Sequence, residues 1–215
     1  MPTLLLAPGT ELRNTIEIKR SQFITLIRRT DSQETARAFI NEVRAEFPDA
    51  RHHCSAYIIT MPGAQPLQHS SDDGEPAGTA GKPILDVLSG FELTNAAAVV
   101  VRYFGGTLLG TGGLVRAYSS SVRECLLGTQ TFTPLELTRI YVTARHDIAG
   151  RLEAELRGRG YDLLNVSYET TKVVFQLAIN DKNAFSAALA QITSGQCSAI
   201  EDGLVIREIP AQKLA

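Results

Sequence analysis

Apolar and polar residues alternate along the first fifty positions in a pattern that predicts a strand followed by a helix. Residues 15–28 carry apolar side chains at strand-like spacing. The helix is expected to begin at Asp31 or Ser32, because Asp31 and Glu34 have the spacing of a capping box, and to end at Pro48. Its apolar face is Ala36, Phe39, Ile40, Val43 and Phe47. One amphipathic helix is therefore expected to pack on a sheet.

The next part of the chain predicts a central strand and a second long helix. Residues 96–101 are continuously apolar, as in a strand that is covered on both faces. Residues 55–60 predict another strand, 65–81 a long polar loop, and 84–88 a short helix. The buried face of the long helix is Leu114, Val115, Tyr118, Val122, Cys125 and Leu126. The first half of the chain is therefore expected to be an α+β domain.

A new cycle of elements begins after Pro134, where the pattern breaks. The order of the predicted elements is strand, helix, strand, strand, helix, strand. Their ranges are 137–144, a helix from Asp147, 164–168, 173–179, 185–192 and 204–209. This βαββαβ order is typical of a ferredoxin-like sandwich. We therefore expect two domains, residues 1–134 and 135–215.

The composition of the chain excludes some classes of protein function but does not identify a single one. The chain has 215 residues, with 12 basic and 13 acidic residues before position 135 and 9 basic and 10 acidic after it. Any nucleic-acid site must therefore be a local patch. Three widely spaced cysteines argue against a disulfide framework or a zinc knuckle. The start, MPTLLLAPGT, has no signal-peptide pattern and is too short to span a membrane, so a cytoplasmic location is expected.

The strongest candidate for a binding site is the glycine-rich loop between the central strand and the long helix. Its glycines are Gly105, Gly106, Gly110, Gly112 and Gly113. Glycines let an anion approach the amides of a helix start, so they predict a phosphate cradle. They are equally explained by positive φ angles in a tight connection. The nearby cations and aromatics suit phosphate contact and base stacking; they are Lys82, Arg102, Tyr103, Phe104 and Arg116. They equally fit the edge of a core, with arginines that extend their charged ends to water.

Other polar clusters have ordinary structural explanations beside the functional ones. Asp72, Asp73 and Glu75 could hold a hard cation, but the surrounding sequence is that of a turn, which we favour. His52 and Cys54 would share one face of a strand, and two ligands do not complete a metal site, so no metal is expected there. No nucleophile and base can be paired from the sequence, and the catalytic residues, if any, are unknown.

Three segments together resemble the YigZ/IMPACT family: ARHHCSAY from residue 50, SDDGEPAGTAGKP from residue 71 and VVVRYFGGTLLGTGGLVRAY from residue 99. The resemblance implies an α+β architecture, with a domain like the second domain of ribosomal protein S5 followed by a ferredoxin-like domain. The same two folds lie side by side in elongation factor G, which suggests contact with the ribosome or RNA. The family's RWD-dependent partner is not expected, because the shared domain begins almost at once. The resemblance transfers no catalytic residues.

Two hypotheses follow. The first is a cytosolic, translation-associated protein without catalysis that binds RNA or the ribosome through a face of Lys82, Arg102, Tyr103, Gly105, Gly106, Gly110, Gly112, Gly113 and Arg116. It needs no cofactor. The alternative is an enzyme or binding protein for a small phosphorylated ligand, with Mg²⁺ held by Asp72, Asp73 and Glu75. Whether the acidic and glycine-rich loops share one cleft distinguishes a site from two separate turns.

Overall fold

The computed structural model describes residues 4–61 and 63–215. The strands are β1 Glu11–Ile18, β2 Ser21–Arg29, β3 His52–Ile59, β4 Leu67–Ser71, β5 Ala96–Tyr103, β6 Gln130–Ala144, β7 Asp162–Tyr168, β8 Val173–Ile179 and β9 Ala199–Lys213. The helices are α1 Gln33–Glu46, α2 Gly81–Gly90, α3 Thr111–Leu126, α4 His146–Gly158 and α5 Lys182–Thr193. They form two compact units, the first comprising the chain up to Thr133 and residues 209–215, the second Pro134–Glu208.

The first unit is built on a five-stranded antiparallel sheet in the order β1-β2-β5-β3-β4. The central strand β5 is buried along nearly its whole length. Ala98 and Val100 belong to one core, whereas Ala97, Val99 and Val101 belong to the other. This alternation follows from the two-residue period of a strand, and it confirms the prediction of a strand covered on both faces.

Helices cover both faces of this sheet. The side chains of α1 pack into one core, and those of α2 and α3 pack into the other. Ser32, the second of the two predicted start residues, is the N-cap of α1: its hydroxyl accepts from the Thr35 amide, and Thr35 completes the capping box. Glu34 is not the reciprocal partner, because it lies one residue before the third helical position.

Residues 15–28 form a hairpin and not the single strand-like stretch that the pattern predicted. β1 and β2 pair from Ile18 with Ser21 outward, and Lys19 and Arg20 form the two-residue turn between them. The residue types do not indicate this turn, because neither is a glycine, asparagine or aspartate, the types that two-residue turns favour. A short strand, β4, also forms within the predicted polar loop.

The second unit has the βαββαβ order that the sequence predicted. Its sheet order, β7-β8-β6-β9, places the first and third strands in the middle, as in a ferredoxin-like sandwich. Pro134 lies inside β6 and does not end it. A proline is tolerated there because pairing with β8 starts only at Thr138, so no β8 carbonyl requires its missing amide. The α+β class is confirmed.

The end of β9 returns to the first unit. Leu214 is buried in the core that α2 and α3 share, and its amide and carbonyl bond to Thr129 and Gly128. The Thr131 hydroxyl donates to the Gln212 carbonyl at 2.7 Å. Among the residues that the structure describes, no helix is both long and apolar enough to cross a membrane.

Candidate functional site

The glycine-rich loop leads into a helix whose N-terminus has no side-chain cap. Gly110 is the N-cap of α3, and within the described chain no side chain accepts from the first-turn amides and no acidic residue occupies the first turn. Gly106 and Gly110 have positive φ angles of 86° and 71°, as the conformational explanation required. Gly112 has no positive φ, and a Cβ added to it would meet no atom within 4 Å. The start of this helix is therefore open to a ligand.

Gly105 is required by a close approach between two backbones. A Cβ at Gly105 would lie 2.0 Å from the carbonyl carbon of Arg20 and 2.3 Å from the amide nitrogen of Ser21. The Gly105 amide donates to the buried Ser21 hydroxyl at 3.1 Å. The glycine-rich loop is therefore packed directly against the turn of the β1–β2 hairpin.

That turn carries two cations in a strained backbone. Lys19 and Arg20 have φ angles of 48° and 66°, and a side chain in this region costs about 1–2 kcal/mol per residue. Both are exposed, and neither has a hydrogen-bond or ion-pair partner among the residues described. The sequence pattern did not single them out; the available signal was two adjacent cations inside an otherwise strand-like stretch. Strain of this kind concentrates at functional sites.

Arg102 joins the glycine-rich loop to the acidic loop. Its guanidinium donates to Glu75 Oε1 at 2.7 Å, and only 8% and 4% of the two side chains is exposed. The Tyr118 hydroxyl donates to the same carboxylate oxygen at 2.8 Å, and Arg102 also donates to the Ser21 hydroxyl at 3.4 Å. The two predicted loops therefore meet, and the contact between them is a buried ion pair.

The other two carboxylates of the acidic loop bind protein groups. Asp72 accepts from the amides of Gly78, Ala80 and Gly81 at 2.8 to 3.0 Å, which caps α2. Asp73 accepts from the His53 amide and from Arg44, both at 2.6 Å. The turn explanation describes this loop better than the cation explanation does. Within the described residues, no group of three or more His, Cys, Asp or Glu side chains is placed to hold a metal ion.

Replacing Asp72 with alanine is expected to lower the free energy of unfolding by about 1–2 kcal/mol, because it removes the cap of α2. Burial raises the pKa of Asp72, but the three amides outweigh burial and hold the pKa below its ordinary value of 3.8. The carboxylate therefore stabilises the fold near neutral pH, and this contribution disappears as the pH falls from about 4 through the lower folded-state pKa. Urea unfolding at several pH values should show the difference between D72A and the parent shrinking in acid.

Four of the remaining predicted residues line two cavities beside the loop. Arg102 and Tyr103 line a cavity of about 540 Å³. Gly113 and Arg116 line a cavity of about 250 Å³, together with Lys19. Arg116 is exposed and has no ion-pair partner in the described part of the chain. Lys82 lies apart from both cavities, on the exposed side of α2, where it pairs with Asp86.

The buried thiols and imidazoles near the site hold the fold. Burial raises the pKa of Cys54 and of Cys125 to about 12, so both thiols stay protonated at neutral pH. Cys54 donates to the Asp72 carbonyl at 3.0 Å. His52 Nδ1 is 2.9 Å from the Asp73 carbonyl, and His53 Nε2 is 2.9 Å from the Phe47 carbonyl. Cys54 and His52 bond to carbonyls of the acidic loop and so position it, and neither buried thiol is an activated nucleophile.

Comparison with known proteins matches both halves of the chain. Residues 19–126 match the Impact N-terminal domain, and residues 142–196 match a domain of unknown function, DUF1949. The IMPACT family member YigZ of Escherichia coli is 44% identical over 92% of this chain and 98% of its own length. YvyE of Bacillus subtilis is 37% identical over 87% and 86%. A crystal structure of a hypothetical protein, 40% identical, covers 93% of this chain and 97% of that one with a TM-score of 0.58.

Proposed function

The chain belongs to the IMPACT family, and on that premise we propose that it acts in translation by binding structured RNA or the ribosome, without catalysis of its own. The observation that carries the proposal is the group of unpaired cations beside the uncapped start of α3. We call this group the hairpin-tip cluster; it consists of Lys19, Arg20 and Arg116.

The hairpin-tip cluster has the chemistry of a phosphate-binding surface. Lys19 and Arg116 line one small cavity with Ser120, so two positive charges and a hydroxyl converge there. The adjacent helix start adds free amides and the positive end of the α3 dipole. Phosphate contacts of this kind supply most of the affinity in nucleic-acid binding. A chain whose net charge is −2 binds RNA only through such a local patch.

Arg102 contributes to this surface indirectly, by positioning it. Its charge is matched by Glu75 in the interior, which leaves little of the guanidinium for a ligand. Arg102 and Gly105 both bond to the Ser21 hydroxyl, next to the hairpin turn. We therefore assign Arg102 the role of positioning the hairpin-tip cluster. The proposed role in translation comes from the family resemblance. The two domain folds that this resemblance implies also occur together in elongation factor G.

The double variant Lys19→Gln/Arg116→Gln is expected to weaken RNA binding uniformly across sequences and to lower the salt slope. Loss of two phosphate contacts should reduce the slope of log affinity against log salt by about 1.5. Fluorescence anisotropy with a labelled hairpin RNA over a salt series measures both quantities. Sedimentation with ribosomes at low and moderate salt tests the same variant on the larger partner.

The matched control is Arg157→Gln/Arg159→Gln at the C-terminal end of α4, which changes the net charge by the same amount. Both arginines pair with acidic residues one turn earlier on the same helix, far along the chain from the hairpin-tip cluster. This control should keep the parent's affinity and salt slope. Equal affinity and slope for the parent and the Lys19/Arg116 variant, on both RNA and ribosomes, would overturn the proposed function.

A further inference from the structure

The larger cavity beside the glycine-rich loop is separate from the hairpin-tip cluster. Its volume of about 540 Å³ falls within the range of about 300–1,000 Å³ that small-molecule sites occupy. The side chains that matter for recognition are Asp49, Arg51, Arg102, Tyr103, Phe104 and Leu108. They combine one free cation, one carboxylate and several apolar surfaces. This is the chemistry that a nucleotide requires.

Phe104 is an aromatic ring held at the wall of this cavity without being buried. It is 58% exposed. The guanidinium carbon of Arg102 lies 5.7 Å from its ring centroid, which is within the range of a cation–π contact. Arg102 is itself fixed by Glu75 and Ser21. The ring is therefore preorganised on one side by a buried network, which lowers the entropy cost of stacking a ligand on it.

The polar groups of the cavity are placed for a base and a phosphate. Asp49 Oδ1 accepts from the Tyr103 hydroxyl at 2.8 Å, and its second oxygen has no donor among the described residues. Carboxylates recognise exocyclic amino groups such as N4 of cytosine. Arg51 is exposed and unpaired in the described chain, so it can bind a phosphate. Leu108, which is 83% exposed, adds a second apolar surface.

We propose that this cavity binds one nucleotide of an RNA strand, with its base stacked on Phe104, an exocyclic amino group of the base donating to Asp49, and a phosphate at Arg51. The inference rests on the proposed function in taking the nucleotide from RNA. It goes further by placing base recognition in a cavity distinct from the hairpin-tip cluster. A free mononucleotide has the same chemistry, and the experiment separates the two sources.

The test measures binding of labelled oligocytidylate and oligouridylate RNA to five proteins: the parent, Phe104→Leu, Phe104→Tyr, Asp49→Leu and the control Tyr168→Leu. Loss of stacking should weaken oligocytidylate binding about 5- to 100-fold in Phe104→Leu, whereas Phe104→Tyr should retain it. The parent should prefer oligocytidylate, and Asp49→Leu should lose that preference. Tyr168→Leu, which removes an aromatic ring of similar exposure from the second unit, is the control and should bind as the parent does.

The Lys19→Gln/Arg116→Gln variant distinguishes failure of the cavity from failure of the proposed function. If it binds RNA weakly while Phe104→Leu binds as the parent does, the cavity proposal is overturned and the proposed function stands. If the parent binds neither RNA nor ribosomes, the proposed function fails. Titration with CMP then tests the cavity. If the parent binds CMP and Phe104→Leu does not, the RNA source is overturned and the cavity is assigned to free nucleotides. If the parent does not bind CMP, the cavity proposal is overturned altogether. Because Phe104 is exposed, its variants should unfold at the parent's urea midpoint.

Discussion

Arg102→Leu is expected to lower the free energy of unfolding by about 3–5 kcal/mol, the cost of leaving one partner of a buried ion pair unpaired. Glu75 would keep the hydrogen bond from the Tyr118 hydroxyl but lose its positively charged partner, although only 4% of the Glu75 side chain is exposed. Urea unfolding followed by circular dichroism measures the loss. A change below about 1 kcal/mol would show that the pair does not hold the two loops together.

Two further variants separate the ion pair from the volume of the side chains. Glu75→Leu/Arg102→Leu removes both charges, so it should be more stable than Arg102→Leu alone, since replacing both partners avoids the unpaired charge. Lys82→Ala breaks the exposed pair with Asp86 on α2 and should cost only about 0.3–0.5 kcal/mol. A double variant that is no more stable than Arg102→Leu would contradict the role assigned to the pair.

Gly105→Ala is expected to cost about 1–3 kcal/mol, because the new methyl group overlaps the backbone of Arg20 and Ser21, which cannot rotate away as a side chain could. The same displacement should weaken RNA binding, since it moves the turn that carries Lys19 and Arg20. Urea unfolding and RNA anisotropy on one preparation test both effects.

Gly112→Ala provides the matched control in the same loop. Its Cβ would meet nothing within 4 Å and the residue lies in the first turn of α3, so stability should stay equal or rise by up to about 1 kcal/mol. Equal stability of Gly105→Ala and Gly112→Ala would mean that the close approach at Gly105 imposes no constraint.

The sequence predicted the elements that are marked by a local pattern of apolar residues. The apolar run of β5, most of the buried face of α3 and the βαββαβ order of the second unit all follow from periodicity, and the structure contains each of them. Val115, which was predicted on the buried face of α3, is instead 38% exposed. The strand predicted over residues 15–28 was wrong in its middle, because a lysine–arginine turn violates the composition rules on which turn prediction depends. Backbone strain of this kind is visible only once both strands are paired.

The candidate site could be predicted only in part, because its decisive contacts join distant residues. The glycine-rich loop and Arg116 were identified from the sequence. The Arg102–Glu75 pair spans 27 positions and depends on the end of β5 meeting the loop before α2. Sequence composition leaves Arg102 equally a cation for phosphate contact or an arginine at the edge of the core, and the structure places it in the interior. Likewise, the role of Asp72 as the cap of α2 requires knowing where that helix begins.

The return of β9 to the first unit has a consequence for the order in which the protein is made. Ribosomes synthesise a chain from its N-terminus, and domains generally fold as they emerge. Here the core of α2 and α3 is completed by Leu214, which is translated after every residue of the second unit. The first unit therefore reaches its native state only after the second has been synthesised, and its nascent form exposes the surface that Leu214 later covers. Stalled chains ending near Glu208 should be cut by protease in the first unit more readily than chains that include Leu214.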